Sequence, residues 1–412
     1  MEDSDMHKHD EDGQAVDNDG SGSESSGDFM FVTDQELAAM TGQDVEGEGE
    51  EEGDAPAPLE TKEVPPTKIF ESHTDSVYSV DWNPTDENIF VTGGGDDIAI
   101  IWSIDGTPLY KLEGHSDTVL EARYSKDGKF IATGSLDGTV KIWNSQDGVL
   151  RHTLEGPSED INWISWHPKG PVIACGSVDK TIWMWNAVNG DFMQMFSGHE
   201  ESVTVGGFTP DGKFIISAGG DRSLRVWNPK NGNCIQSVSG HGFHEEDITS
   251  MDFHHSKPLV LTGSVDGTTC LTNYSNGKLA TRVGSHEGGV ECAKLSLTHD
   301  LFATCGTDGK LVIYDSNTFH TRHNLDIEFE LIKLQWHATE PLILVCGNYG
   351  PRSHVSVWDA RQGTVLMMFN GHEDMVMDFA TNKTFTKMLT GSDDSKARLF
   401  ELPDTEGISS AQ

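Results

Sequence analysis

A repeat of about 42 residues covers most of this chain of 412 residues. Trp102 and Trp143 lie 41 residues apart, and each further step of 42 to 45 residues meets an aromatic residue or a threonine. The positions in step are Trp102, Trp143, Trp185, Trp227, Thr272, Tyr314, Trp358 and Phe400. A period of this length is typical of small structural units that must stack on one another, because one such unit cannot bury a core alone.

Each repeat carries the same polar residues at fixed positions. An aspartate stands six residues before the aromatic position in every repeat except the seventh, which has Arg352 there. Apolar runs alternate with turns such as the Lys-Asp-Gly-Lys of residues 126–129, so each repeat is predicted to form four strands. A histidine, usually after glycine, precedes the strands of most repeats, and these histidines are His73, His115, His199, His241, His286 and His372.

The repeats resemble WD repeats, whose period is roughly 40–45 residues. That resemblance implies four-stranded blades, and eight of them imply an all-β, eight-bladed propeller over residues 67–402, followed by a short tail at 403–412. The segment Thr67–Glu71 stands where each later repeat has the outer strand of the preceding blade. Since no blade precedes it, we predict that it completes the eighth blade and closes the ring.

A recurring polar set resembles the hydrogen-bonded tetrad of WD repeats. Its fourth member is a hydroxyl residue ten positions before the aromatic residue. The set recurs in successive repeats, whereas catalysis needs one constellation at one open cleft, so we predict a buried bracing network and no enzyme. Repeats three, five and seven depart from the pattern and should be less well braced. The predicted structural tetrads are His73, Thr92, Asp96 and Trp102; His115, Thr133, Asp137 and Trp143; and His199, Ser217, Asp221 and Trp227.

Acidic residues follow the histidine position in nearly every repeat. In a propeller, these positions lie in the loops that lead into the innermost strands, and therefore on one face. A single acid there can serve only as a turn cap, but a ring of like charges favours a cationic partner. The insertion at 242–247 is a candidate recognition loop or simply a longer loop. The predicted partner-binding residues are Asp75, Asp117, Glu121, Glu159, Asp160, Glu200, Glu201, Glu245, Glu246, Asp247, Glu287, Glu373 and Asp374, and Asp378 is expected to point the same way.

The net charge of −39 is divided between two regions. Residues 1–66 carry −19, and their Gly/Ser/Asp/Glu-rich composition predicts a disordered acidic tail. Within the tail, Thr33 and Glu36 have capping-box spacing before a short apolar stretch, so residues 29–40 are either a short docking helix or a transient turn. The excess of acids excludes direct nucleic-acid binding and docking on anionic lipid, and it favours a basic protein partner.

The remaining site chemistry is sparse. The six cysteines form no C-x-x-C pair or zinc spacing, the extra histidines belong to different repeats, and no phosphate-binding loop is present, so we predict no metal and no cofactor. The acidic N-terminus lacks an apolar segment, and no apolar run is long enough to span a membrane. We therefore expect reduced thiols, a monomer, and a cytoplasmic protein with the nucleus as a second compartment.

Several strings are more specific than the general repeat. They are Gly-Gly-Asp-Asp-Ile-Ala at 94–99, Trp-Ile-Ser-Trp-His-Pro at 163–168, Trp-Met-Trp at 183–185, Leu-Val-Ile-Tyr-Asp at 311–315 and Val-Trp-Asp-Ala-Arg-Gln-Gly at 357–363. With these strings, residues 67–402 resemble the angio-associated migratory cell protein family. The resemblance implies a non-enzymatic propeller, and the family includes a fungal ribosome-assembly protein that escorts a basic large-subunit ribosomal protein. The alternatives are a scaffold in signalling and cell migration, or a histone-binding propeller.

Overall fold

Short strands separated by turns make up the part of the chain that the structure describes. The computed structural model describes residues 62–403, apart from positions 285, 328 and 349–352. The predicted segment at 29–40, nearly all of the predicted N-terminal tail and residues 404–412 therefore lie outside the described residues. The described residues contain 33 strands, numbered β1 to β33, which form eight sheets.

The first four blades each consist of four consecutive strands in antiparallel order. The first strand of each blade lies innermost and the fourth lies outermost. The strands are β3 (Val77–Trp82), β4 (Ile89–Gly94), β5 (Ala99–Ser103) and β6 (Pro108–Leu112); β7 (Val119–Tyr124), β8 (Phe130–Ser135), β9 (Val140–Asn144) and β10 (Leu150–Leu154); β11 (Ile161–Trp166), β12 (Val172–Ser177), β13 (Thr181–Asn186) and β14 (Phe192–Ser197); and β15 (Val205–Phe208), β16 (Ile215–Ala218), β17 (Leu224–Trp227) and β18 (Cys234–Val238).

Blades 5 to 8 follow the same plan, and blade 8 takes its outer strand from the start of the described residues. The strands are β19 (Ile248–Phe253), β20 (Leu259–Ser264), β21 (Thr268–Asn273) and β22 (Lys278–Gly284); β23 (Val290–Leu295), β24 (Leu301–Gly306), β25 (Lys310–Asp315) and β26 (Thr321–Asp326); β27 (Glu330–Trp336), β28 (Leu342–Asn348), β29 (His354–Asp359) and β30 (Thr364–Phe369); and β31 (Val376–Thr381), β32 (Lys387–Ser392) and β33 (Ala397–Glu401), with β1 (Lys62–Val64) and β2 (Lys68–Phe70) added at the edges of blades 7 and 8.

The ring closes through β2, as the sequence predicted. This strand pairs antiparallel with β33, and Phe70 lies opposite Ala397. Its phenyl ring is buried beside Phe90 and Trp102 of blade 1. The innermost strands contact one another around the ring, with β3 against β31. The prediction of an all-β, eight-bladed propeller is therefore confirmed.

One strand was not predicted. Residues 62–64, assigned from composition to the disordered tail, form β1 and pair in parallel with β30 at the outer edge of blade 7. Blade 7 is thus a five-stranded sheet. The reason is local: β30 is rich in Val, Leu, Met and Phe, and a fifth strand satisfies the hydrogen-bonding groups along its open edge.

The core lies between adjacent blades, where the faces of neighbouring sheets meet. Inner and middle strands are buried along most of their length, whereas outer strands such as β6 and β10 are largely exposed. Each innermost strand is also a sheet edge, so its backbone N–H groups need partners from outside its own sheet. Side chains of the preceding blade supply several of them: Ala122 N donates to Ser79 Oγ (3.0 Å), and Tyr124 N donates to Asp81 Oδ2 (2.8 Å).

Candidate functional site

The loops that lead into the innermost strands are fixed by the polar tetrads. In blade 2, His115 shares a hydrogen bond of 2.8 Å with Asp137 and one of 2.7 Å with Thr133, whose hydroxyl accepts a third from Trp143 at 2.9 Å. The tetrads of blades 1 and 4 have the same connections within 0.1 Å. The structure therefore brings together all three predicted sets.

Each tetrad aspartate also anchors the loop after the histidine. Asp137 accepts the backbone N–H of Ser116 (3.1 Å), and Asp221 accepts that of Glu200 (3.1 Å). The same bond recurs in seven blades of the described region. Because the histidines of these tetrads are buried and the pattern is repeated, the tetrads act as braces that hold the loop carrying the acidic residues.

Blade 5 corrects one sequence assignment. The sequence placed His241 at the histidine position, but His241 is exposed and His244 takes the role instead. His244 Nε2 lies 2.8 Å from the Thr262 hydroxyl, and its Nδ1 lies 3.0 Å from Thr268 Oγ1. The spacing of 18 residues between histidine and hydroxyl, seen in four other blades, would have identified His244. The start of the insertion in blade 5 is therefore structural, while Thr272 still stands in place of the tetrad tryptophan and its buried hydroxyl has no hydrogen-bond partner among the described residues.

This correction predicts a difference between two neighbouring histidines. His244→Ala should lower the free energy of unfolding by about 2 kcal/mol, because it leaves the buried Thr262 hydroxyl without its histidine partner. His241→Ala, at an exposed position, should change it by less than about 0.5 kcal/mol. Urea denaturation followed by tryptophan fluorescence measures both. Equal effects of the two substitutions would contradict the assignment.

Protonation should weaken the tetrads. Burial lowers the pKa of His115 and of His372. Burial would raise the pKa of Asp137, but hydrogen bonds from Thr139 and His115 outweigh it and lower the pKa to about 2. Both kinds of group thus have a pKa below the unfolded value. Their stabilisation is complete above the unfolded pKa and is lost as the pH falls through the folded pKa.

We therefore expect the urea midpoint to fall as the pH drops from 7.5 to 5, in the range of the histidines, and to fall again below pH 4, in the range of the aspartates. A His115→Gln variant should have a lower midpoint at pH 7.5 and a smaller loss between pH 7.5 and 5. A midpoint that stays constant or rises towards pH 5 would contradict this account.

The predicted acidic residues surround one face of the propeller. All eight innermost strands run in the same direction, so the loops before them meet at one face, which we call the rim face. Eleven of the twelve loop acids are exposed there, and Asp160 is half-buried. We define the acidic rim as Asp75, Asp117, Glu159, Asp160, Glu200, Glu201, Glu245, Glu246, Asp247, Glu287, Glu373 and Asp374.

In the described part of the chain, ion pairs with lysine or arginine occur on one side of the acidic rim only. In blades 4 to 6, Glu201 lies 3.4 Å from Lys180, Glu245 lies 3.8 Å from Arg282, and Glu287 lies 3.1 Å from Lys310. These three acids are named the paired arc. Within the described residues, no lysine or arginine forms an ion pair with the rim acids of blades 8, 1, 2 and 3, which are contiguous in the ring. We name these the free arc: Glu373, Asp374, Asp75, Asp117, Glu159 and Asp160.

Two further acids extend the free arc, and the sequence analysis missed them. Asp97 follows the tetrad aspartate of blade 1, and Asp393 precedes that of blade 8. Both are half-buried in turns at the rim face, and Asp393 accepts a hydrogen bond from Ser76 of the neighbouring blade. The signal was present in the sequence as paired aspartates at 96–97 and 393–394, where most repeats have one.

Glu121 does not belong to the acidic rim, contrary to the prediction. A bulge in β7 separates it from Val119 and directs its side chain into the central channel, where it lies 2.8 Å from Arg123. Asp378 is also internal: its side chain is 5% exposed, and it contacts Lys333 and Arg123. Its Oδ2 accepts the backbone N–H of Val80 at 3.0 Å. These two acids brace the inner wall and are not available to a partner at the rim.

The described residues offer few other sites. Between residues 62 and 403, apart from the six undescribed positions, no group of three or more His, Cys, Asp or Glu side chains could hold a metal ion. His167, His254 and His337 each cap a different turn by accepting backbone N–H groups at Nδ1. Within that same range, no helix is long and apolar enough to cross a membrane.

Comparison of the sequence with known proteins agrees with the repeat analysis. A family described as the IFT122 first beta-propeller matches residues 124–401, and one described as WD domain, G-beta repeat matches residues 65–103. Angio-associated migratory cell protein of Homo sapiens is 32% identical over 178 residues, 39% of this chain and 40% of that protein. An uncharacterized WD repeat-containing protein of Schizosaccharomyces pombe is 31% identical over 154 residues, 37% of this chain and 38% of that protein. The matches span about two fifths of these relatives, and the predicted resemblance is confirmed.

Two solved structures share the fold over most of the chain. Sqt1 of Saccharomyces cerevisiae has a TM-score of 0.75 at 21% identity, covering 84% of this chain and 100% of that one. Sqt1 of Chaetomium thermophilum, solved in complex with the N-terminus of the ribosomal protein L10, has a TM-score of 0.74 at 22% identity, covering 83% of this chain and 100% of that one. At this level of identity, the likeness shows a common fold.

Proposed function

The chain belongs to the WD-repeat propeller family of the IFT122 first beta-propeller, and we propose that its rim face binds a basic segment of a large-subunit ribosomal protein during ribosome assembly. WD-repeat propellers are protein-binding scaffolds and are typically non-enzymatic. In this proposal the protein is an escort: it holds the ribosomal protein after synthesis and releases it at the pre-ribosome. The partner class is suggested by Sqt1, whose structure holds the N-terminus of ribosomal protein L10.

The observation that carries the proposal is the free arc. Six exposed or half-buried acids of four adjacent blades form no ion pair with a lysine or arginine of the described residues, whereas three acids on the other side of the same rim each form one. Like charges held together by tetrad-fixed loops repel one another, and a cationic ligand removes that repulsion. Lysine and arginine side chains would also gain charge-assisted hydrogen bonds at the free arc.

Binding without turnover follows from this chemistry. The free arc would neutralise a basic segment that otherwise aggregates or binds nucleic acid indiscriminately. Ribosomal RNA carries a higher density of negative charge and would compete for the same segment. The basic segment would therefore be released at the assembly site, where that RNA is present. The proposal therefore places the protein in the cytoplasm, where ribosomal proteins are made, with the nucleus as a second compartment. It involves no direct contact between the propeller and nucleic acid.

A pull-down with three matched proteins tests the proposal. Wild type, a free-arc variant (Asp75→Asn, Asp117→Asn, Glu159→Gln) and a paired-arc variant (Glu201→Gln, Glu245→Gln, Glu287→Gln) are immobilised at equal density and exposed to lysate at low salt. Each variant removes three charges, and Asn at positions 75 and 117 keeps an amide oxygen for the turn hydrogen bonds to the next residue. Bound proteins are quantified by mass spectrometry.

We expect a large-subunit ribosomal protein to be enriched on wild type and on the paired-arc variant, and to fall about tenfold on the free-arc variant, about 1.4 kcal/mol in binding free energy. Enrichment of histones in place of a ribosomal protein would support the histone-binding alternative. Partners that are unaffected by the free-arc substitutions would favour a signalling scaffold that uses another face. Either result would contradict the proposed function.

A further inference from the structure

Two cysteines face each other across the inner strands of blade 6. Cys292 of β23 is the direct cross-strand partner of Cys305 of β24. Directly opposed residues of antiparallel strands have Cα atoms roughly 4.5–5.5 Å apart, which is within the range that a disulfide spans. Opposed residues project their side chains to the same face of a sheet, so the two thiols are neighbours. In five other blades the residue at the position of Cys305 is a glycine, so this opposed pair is a local feature of blade 6.

The surroundings of Cys292 favour its thiolate. The hydrogen bond from the Cys305 thiol lowers the pKa of Cys292 against the effect of burial, and the ammonium groups of Lys294 and Lys333 add to that lowering. Burial has the opposite result at Cys305 and raises the pKa of that thiol. A cysteine with thiolate character beside cations, with a second thiol in contact, has the arrangement of a redox-active pair.

Cys292 lies close to a residue that lines an open cleft. Lys294, Lys333 and Leu334 line a cleft of about 460 Å³ in the central channel. The Cys292 Sγ lies 3.8 Å from the carbonyl oxygen of Leu334, directly behind that wall, and the residue is 6% exposed. Cys305 is fully buried, so Cys292 is the more accessible thiol of the pair.

We propose that Cys292 and Cys305 form a reversible disulfide when the protein meets hydrogen peroxide. The Cys292 thiolate attacks one peroxide oxygen, the O–O bond breaks, and the released hydroxide takes a proton to leave as water, which gives a sulfenic acid at Cys292. The Cys305 sulfur then attacks the Cys292 sulfur, the S–O bond breaks and a second water leaves. Two thiols lose two electrons in total, and one peroxide is reduced to two waters. A dithiol reductant reverses the reaction by thiol–disulfide exchange.

Oxidation of the full-length protein by a few equivalents of hydrogen peroxide, followed by denaturing alkylation and tryptic mass spectrometry, tests the proposal. Because Lys294 separates the two cysteines, trypsin places them on different peptides, residues 283–294 and 295–310. We expect these peptides to become linked, with the loss of two of the six alkylatable thiols and recovery on reduction by dithiothreitol. The exposed Cys234 and the buried Cys175 serve as internal controls and should stay alkylatable.

Single variants separate the two roles. Cys305→Ser should stop the reaction at the sulfenic acid, so that dimedone labels Cys292, whereas Cys292→Ser should leave Cys305 alkylatable. The proposal is overturned if both cysteines stay free at a peroxide dose that oxidises Cys234. It is also overturned if the linked peptide joins Cys292 to Cys346, or if dimedone fails to label Cys292 in the Cys305→Ser variant.

Discussion

Replacing Asp378 by Asn should lower the free energy of unfolding by about 3 kcal/mol, because the carboxylate holds two cations inside the channel. Asp378 of blade 8 contacts Lys333 of blade 7 and Arg123 of blade 2, at 3.4 Å for Arg123. It also accepts a backbone N–H of blade 1. Burial would raise the pKa of Asp378, but Lys333 and Arg123 outweigh it and lower the pKa, so the side chain is ionised. One carboxylate thus joins four blades across the ring closure.

Chemical denaturation of Asp378→Asn measures this loss, and Asp374→Asn is its matched control. Asp374 lies on the same blade but is exposed at the rim, so its loss of charge should cost less than about 0.5 kcal/mol. The double variant Lys333→Met/Asp378→Asn should lose less free energy of unfolding than the sum of the two single variants, because each single substitution leaves a buried group without its charged partner. Additive effects would show that the contact between Lys333 and Asp378 contributes no coupling energy.

Gly206→Ala should destabilise the propeller by about 3 kcal/mol, at the upper end of the usual cost of overpacking. A Cβ at this position would lie 2.1 Å from Cζ2 of Trp163. The indole of Trp163 is 6% exposed and packs between the backbones of Gly176 and Gly206, so a new Cβ would force it out of its packed position. The backbone of Gly206 needs no special conformation, and the effect is therefore one of contact alone.

The neighbouring glycine provides the control for this prediction. A Cβ at Gly207 would meet Ser165 Oγ at 3.2 Å and Phe253 at 3.7 Å, so Gly207→Ala should cost less than about 1 kcal/mol. Trp163→Phe in the Gly206→Ala background should recover stability, since phenylalanine lacks the benzo-ring atoms that meet the new Cβ. Thermal and urea denaturation measure all three variants. A double variant less stable than Gly206→Ala alone would contradict the steric explanation.

The repeat made the architecture predictable, because each blade repeats the same local pattern. Ring closure by residues 67–71 followed from the same period, since the first repeat has an outer strand with no blade before it. The tetrads were also predictable as spacings. His244 was missed because a loop insertion moved the histidine by three residues, although its distance from Thr262 was unchanged.

Features that depend on contacts between distant residues could not be predicted from the sequence. The pairing of β1 with β30 joins residues about 300 positions apart through three short pairs, and composition alone assigned β1 to the tail. Glu121 was predicted to lie on the rim, but a bulge before it changes the direction of its side chain, and the sequence does not reveal that bulge. The division of the rim into a free and a paired arc depends on the side-chain directions of Lys180, Arg282 and Lys310. The sequence pattern of a single repeat does not reveal those directions.

Titration calorimetry tests the central claim, that the free arc is a binding site for a basic ribosomal segment. A synthetic peptide of the N-terminus of ribosomal protein L10 is titrated into wild type, the free-arc variant and the paired-arc variant at several salt concentrations. The account predicts salt-dependent binding that weakens about tenfold in the free-arc variant, with a shallower salt dependence, and by less than about threefold in the paired-arc variant. Equal affinities for all three proteins, or binding insensitive to salt, would contradict it.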